Sequence, residues 1–232
     1  MLLGAVGALV LFGVFFYVAI TLRQHKYNRL NVLILWGFES LLTTTEEVLG
    51  DRVAARKIAP LAITMFFLIV INNWLEVLPI LNTITWHGVS LFRGLAADLN
   101  FTTALAIITM VSAQLYGIKN RGIMGNTGRY IANPFKEPMH AFEGFLEIIA
   151  EFSRGIALSM RLFGNIFGGE VLLVVISFIT SWAAPIALPF FILLELFVGA
   201  IQAYVFYMLT VVFISLGAES HDEDPSTPVM AH

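Results

Sequence analysis

The sequence predicts an all-α protein that crosses a membrane several times, with five spanning helices and one amphipathic helix lying on the membrane surface. Three observations predict it. The 232-residue chain is 58% hydrophobic and only 12% charged, whereas soluble domains run at about 25% charged. Its mean hydropathy is +0.84. Its apolar residues gather into runs of about 20 or more, the length a helix needs to span hydrocarbon. There is no cysteine, so disulfides and cysteine metal sites are excluded. The formal net charge of −3 says less than where the charges stand.

Residues 1–22 are apolar, and Arg23, Lys26 and Arg29 follow them. A secretory signal has the opposite order, so this reads as a first span. Residues 30–56 carry Glu39, Glu46, Glu47, Asp51, Arg52 and Arg56 and do not qualify as a span. Leu30, Leu33, Ile34, Phe38, Leu41 and Leu42 keep helical spacing, which predicts the interfacial helix; a soluble loop helix is the alternative. Residues 58–78 and 99–117 span next, and a polar loop at 118–137 follows. Residues 138–180 and 186–217 form two long final helices joined around Ser181–Pro185. These make one membrane domain over 1–217. Residues 218–232, with the acidic run SHDEDPSTPVMAH, are expected to be a disordered tail.

Lysine and arginine placement sets the orientation. Ten of the 13 stand in the segments after the first and third spans, Arg93 stands on the other side, and Arg154 and Arg161 fall within the apolar stretch. The expected topology has the N-terminus outside and the C-terminus cytoplasmic.

The charges inside the long stretch AFEGFLEIIAEFSRGIALSMRLFGNIFGGEVLLVV carry the functional argument. An ionised group at membrane depth costs about 2.5–3.5 kcal/mol by insertion scales and marks a functional site by default. At about 100° per residue, with Glu143 at zero, Arg161 falls near 0°, Arg154 near 20°, Glu147 and Asn165 near 40° and Glu151 near 80°. They share one stripe. Glu170 falls near 180°, about 13 Å further along the axis from Arg161. A stripe that stops at an arginine, with a carboxylate beyond it on the other face, predicts two aqueous paths that do not meet. Glu151 and Arg154 also read as a structural ion pair at i,i+3, and Glu143 as an interfacial residue. Arg161 has no acidic residue within four positions. It stays protonated, so it blocks protons rather than relaying them. On the last helix Glu195 and Gln202 are seven residues apart, within about 20° of one face. Asp98 and Asn100 stand where a helix would begin at 99, as an N-cap or as polar groups at an outer mouth. Asn72, Asn73 and Glu76 leave the same choice open.

The run MRLFGNIFGGE at 160–170 resembles the a subunit of F-type ATP synthases. NNWLEVLP (72–79), ADLNFTTALA (97–106), NPFKEP (133–138) and IQAYVFYMLT (201–210) match the same family in order and spacing, over roughly residues 25–217. The resemblance implies the stator subunit of a proton-driven rotary motor, which does no covalent chemistry and needs no cofactor or metal. Its implied partners are a ring of c subunits packed against the last two helices, peripheral-stalk b subunits and membrane lipid, with no nucleic acid. The implied location is a bacterial inner membrane. Arg161 matches the essential arginine that faces the ring, with Asn165 and Gln202 beside it. Glu147 matches a carboxylate of the cytoplasmic half-channel. Glu170 and Glu195 match two positions of the outer half-channel, with Asp98 and Asn100 near its mouth. Two departures stand out. Many members pair a carboxylate with a histidine where this chain has Glu170 and Glu195; two nearby carboxylates repel unless they share a proton. The serine commonly found four residues before the arginine is Ala157 here. A secondary ion transporter or a structural membrane scaffold are the rival readings; a transporter would show inverted repeats, and the sequence shows none.

Overall fold

A computed structural model describes residues 2–23, 29–77, 85–86, 89–90, 97–128 and 138–218. Helices α1 (Leu2–Arg23), α2 (Arg29–Leu49) and α3 (Arg52–Val77) come first. A short antiparallel hairpin of β1 (Thr85–Trp86) and β2 (Val89–Ser90) follows. Then come α4 (Leu99–Gly128), α5 (Pro138–Thr180), a 3-10 turn (Ser181–Ala183) and α6 (Ala184–Ala218).

The all-α expectation is met in the helices, and the hairpin is the departure from it. Among the described residues, three stretches are long and apolar enough to cross a membrane: Arg52–Val77, Leu99–Lys119 and Phe142–Gly217. The last comprises α5 and α6 together. In α1 the apolar segment Val6–Val18 is shorter. The expected tail falls outside the described residues, apart from Ala218 at the end of α6.

Two boundaries differ from expectation, and local chemistry explains both. The interfacial helix does not run to residue 56. Gly50 adopts φ +66° and its N–H reaches Glu46 O at 3.0 Å, a left-handed C-terminal cap that glycine adopts without a Cβ penalty. Asp51 then accepts the Val53 N–H at 2.8 Å, capping the start of α3. Arg52 and Arg56 thereby join α3, and both reach back to Glu46 at 3.6 and 3.8 Å. The second difference is at 118–128, expected as loop. The helix continues there through a break at Gly122 (φ +76°). Between α5 and α6 the chain reverses where expected, with Ser181 at φ +39° and Pro185 in the first turn of α6, where its missing N–H costs nothing.

The core is built on α6, which packs against α2, α3, α4 and α5, while α1 lies on α3. Ile69, Leu105, Leu158, Leu162, Ala203 and Phe206 form its largest buried cluster. Polar pairs stitch the same interfaces. The Thr109 and Thr210 hydroxyls meet at 3.4 Å. Asn73 Nδ2 donates to Gly199 O at 3.3 Å, and Trp74 Nε1 to Leu196 O at 3.3 Å. Tyr207 is fully buried. Its hydroxyl donates to Leu41 O at 2.5 Å and lies 2.6 Å from Thr45 Oγ1, tying α2 to α6.

Tyr207→Phe keeps the ring and removes only that tie. We expect a loss of about 1 kcal/mol in equilibrium unfolding in mixed micelles, the usual worth of such a bond. Unfolding that matches the wild-type chain would show that α2 is held by apolar packing alone.

Candidate functional site

The long helix α5 carries half of the polar residues singled out above, along 43 residues that run without interruption. Its buried side is Leu158, Leu162 and Ile166, spaced by four and so aligned on one face. Arg161 is turned away from that side and is exposed. Among the described residues it forms no ion pair and no hydrogen bond. Asn165, one turn further along the same stripe, is half-buried. Gln202 of α6 is buried, and its Nε2 has no hydrogen-bond partner among the described residues.

At the other end of the stripe the ionic partner of Arg154 is Glu147, at 3.0 Å. The expected pairing of Glu151 with Arg154 is corrected by this contact. A residue seven positions earlier lies about 20° off the arginine's azimuth, one three positions earlier about 60° off. Helical side chains also point back toward the N-terminus, so the longer reach suits Arg154. Its guanidinium further lies 5.8 Å from the Phe213 ring centroid on α6, a cation–π contact. Glu151 instead accepts a hydrogen bond from Gln114 of α4. Glu143 is exposed.

On the far side of Arg161 a cavity of about 300 Å³ opens between α3, α5 and α6. Asn73, Glu76, Asn165, Gly168, Gly169 and Glu195 are among its lining residues. Glu195 Oε2 is buried there without a hydrogen-bond partner among the described residues. Glu170 is half-buried and within electrostatic reach of Glu195, though it does not line the cavity. Glu76 is only 4% exposed. It joins Glu195 around one cavity although 119 positions separate the two in the chain. The sequence left its role open, because helical periodicity relates residues of one helix and not of two.

Gly169 explains how Glu195 fits. A Cβ built on it would stand 2.8 Å from Glu195 Cδ and 3.3 Å from its Cγ, so the carboxyl group occupies the space a side chain would take. Asp98 and Asn100 stand together at the start of α4. Asp98 Oδ1 accepts from Asn100 N at 2.9 Å and from Asn100 Nδ2 at 3.0 Å, which is capping geometry. Both therefore lie at a helix entrance and outside the lining of the cavity. Among the described residues no cluster of histidine and carboxylate side chains is arranged to hold a metal.

The family model for the ATP synthase A chain matches residues 1–215. The ATP synthase subunit a of Mycobacterium leprae is 37% identical over 184 residues, covering 78% of this chain and 70% of the relative. ATP synthase subunit a 2 of Photobacterium profundum is 31% identical over 221 residues, covering 92% of this chain and 85% of the relative. That of Coxiella burnetii is 33% identical over 183 residues, covering 77% and 68%.

Gly169→Ala should move the Glu195 carboxylate while leaving the helices in place. The clash is with the free end of a flexible side chain, so we expect a stability loss under about 1 kcal/mol, below the ~1–3 kcal/mol of overpacking a rigid core. Labelling of Glu195 by a hydrophobic carbodiimide should change in the same variant. Unchanged labelling would mean the carboxylate does not depend on the missing Cβ.

Proposed function

The chain belongs to the ATP synthase A chain family, and on that premise we propose that it is the stator subunit that carries protons to and from a rotating ring of c subunits. The observation that carries this reading is Arg161, a guanidinium without a partner among the described residues, on the outward face of α5, between a carboxylate-lined cavity and the Glu147–Arg154 end of the same helix.

The chemistry follows from fixed and titratable charge. A proton enters from outside past Asp98 and Asn100, reaches the cavity of Glu76 and Glu195, and passes by Glu170 to a carboxylate on a c subunit. Neutralised, that carboxylate can turn into lipid, where an ion could not go. After most of a turn it meets the cytoplasmic path near Glu147 and releases its proton. The ionised carboxylate then returns past Arg161. Because arginine keeps its proton at any working pH, it holds that carboxylate charged and closes the direct route between the two paths. Asn165 and Gln202 stand beside it as neutral hydrogen-bonding groups. Each proton crossing yields about 2.3 kcal/mol per 100 mV of membrane potential. Bond-making in ATP lies elsewhere in the complex, and b subunits anchor this one. In this reading the chain crosses the membrane five times, with its C-terminus in the cytoplasm.

Glu147 has a divided role. Its ion pair with Arg154 leaves each side chain 27% exposed, and in this reading the carboxylate serves a hydrated path while orienting α5.

Arg161→Gln should abolish proton-driven ATP synthesis with membrane insertion and assembly intact, and Lys at 161 should also be poor, because a desolvated ammonium can lose its proton. Near-normal synthesis by vesicles holding the assembled Gln variant would refute the reading; loss of assembly would point to a scaffold instead.

Glu170 and Glu195 should behave as one proton-sharing unit. Glu170→Gln and Glu195→Gln should give non-additive losses in ATP-driven proton pumping when combined, and Glu170→His should keep substantial activity with a shifted pH profile. Strictly additive losses, the behaviour of sites more than about 7–10 Å apart, would remove the pair from the mechanism.

A further inference from the structure

Arg161 acts only if α5 presents it at the right azimuth. In water the buried stripe Leu158, Leu162 and Ile166 would hold that azimuth, because exposing it is costly. In a bilayer the lipid tails are as apolar as leucine, so an apolar stripe discriminates weakly between facing a helix and facing lipid. Steric locking beside the arginine is weak as well, since the close approach at Gly169 is to the flexible end of the Glu195 side chain. A Cβ at Gly164 or at Gly168 would meet nothing within 4 Å.

What remains is directional. Ser159 is 5% exposed. Its hydroxyl lies 2.9 Å from Thr103 Oγ1 and 3.3 Å from Thr102 Oγ1, both on α4. Thr102 in turn donates to Leu99 O at 3.1 Å. Positions 159 and 161 are about 200° apart on a helix, so anchoring one against α4 turns the other outward. Rotating α5 by one residue step, about 100°, would carry the serine away from both threonines and leave a bare hydroxyl among apolar side chains. Position 157 lies about 40° from Arg161 and is alanine here. In this chain the hydroxyl nearest the arginine in sequence is thus on the helix-facing side.

We propose that Ser159 is a positioning residue for Arg161, its hydrogen bonds to Thr103 and Thr102 holding α5 in the rotational setting that faces the guanidinium outward. This rests on Arg161 being the ring-facing cation.

The test uses the assembled ATP synthase in vesicles and reads ATP formed per proton translocated, at matched amounts of complex. Ser159→Ala should lower that yield by about three-fold, the bias one such hydroxyl pair exerts between membrane helices. Thr103→Val should lower it less, because Thr102 remains. The exchange Ser159→Thr with Thr103→Ser, which keeps both hydroxyls, should restore it. A general packing defect would lower the amount of complex and leave the yield per proton unchanged; that outcome, or failure of the exchange to restore the yield, overturns the proposal. Arg161→Gln is run alongside. If it abolishes coupling while Ser159→Ala does not change the yield, only the positioning role falls. If it leaves coupling intact, the reading of Arg161 falls first.

Discussion

A guanidinium cannot shed its proton, and hydrocarbon does not tolerate a polar group without a partner. These two facts govern the arrangement of the helices. Arg154 meets them with a carboxylate and an aromatic face, supplied by Glu147 and Phe213. Arg161 does not, because every partner it has among the described residues is absent and its side chain is exposed. Under the proposed function, that exposure leaves the guanidinium free to meet a carboxylate on a c subunit. The remaining polar groups are handled in pairs: Thr109 with Thr210, Ser159 with Thr103, Asn73 with the Gly199 carbonyl.

Helix α6 takes part in two of these pairs. It carries Glu195 toward the cavity, Gln202 on nearly the same face, and Tyr207 toward α2. Its neighbours α3, α4 and α5 each contribute a polar contact to it or to one another, so the depth of Glu195 is set from several sides. The close approach at Gly169 adds a limit on the α5 side. A carboxylate held this way has few orientations available, which suits the proton-passing role proposed for it.

Much of this was legible in the residues. Apolar length alone placed α3 and α4 and the long pair α5 and α6, and the stripe from Glu147 to Asn165 followed from 100° periodicity. What failed did so where local or long-range chemistry outweighed periodicity. Gly50 and Asp51 end one helix and begin another within two residues, so Arg52 and Arg56 moved from the interfacial helix to α3. Glu151 was expected to pair within its own helix but met Gln114 of another. Glu76 faced the cavity of Glu195 only once two distant helices were laid together. Periodicity relates residues along one helix; which face meets which neighbour depends on packing that no single segment contains.

The bond from Tyr207 to Thr45 joins residues 162 positions apart. A membrane protein is threaded into the bilayer from its N-terminus as synthesis proceeds, at about 5–20 residues per second. Helix α2 is therefore complete for many seconds before the tyrosine exists. It can wait without a bare hydroxyl, because Thr45 Oγ1 also donates to Leu41 O of its own helix at 2.9 Å. Helix α2 can dock on α3 as soon as that helix exists, but its seating against α6 is among the last events of biogenesis, and a chain truncated before α6 would lack the tyrosine tie that marks a finished copy.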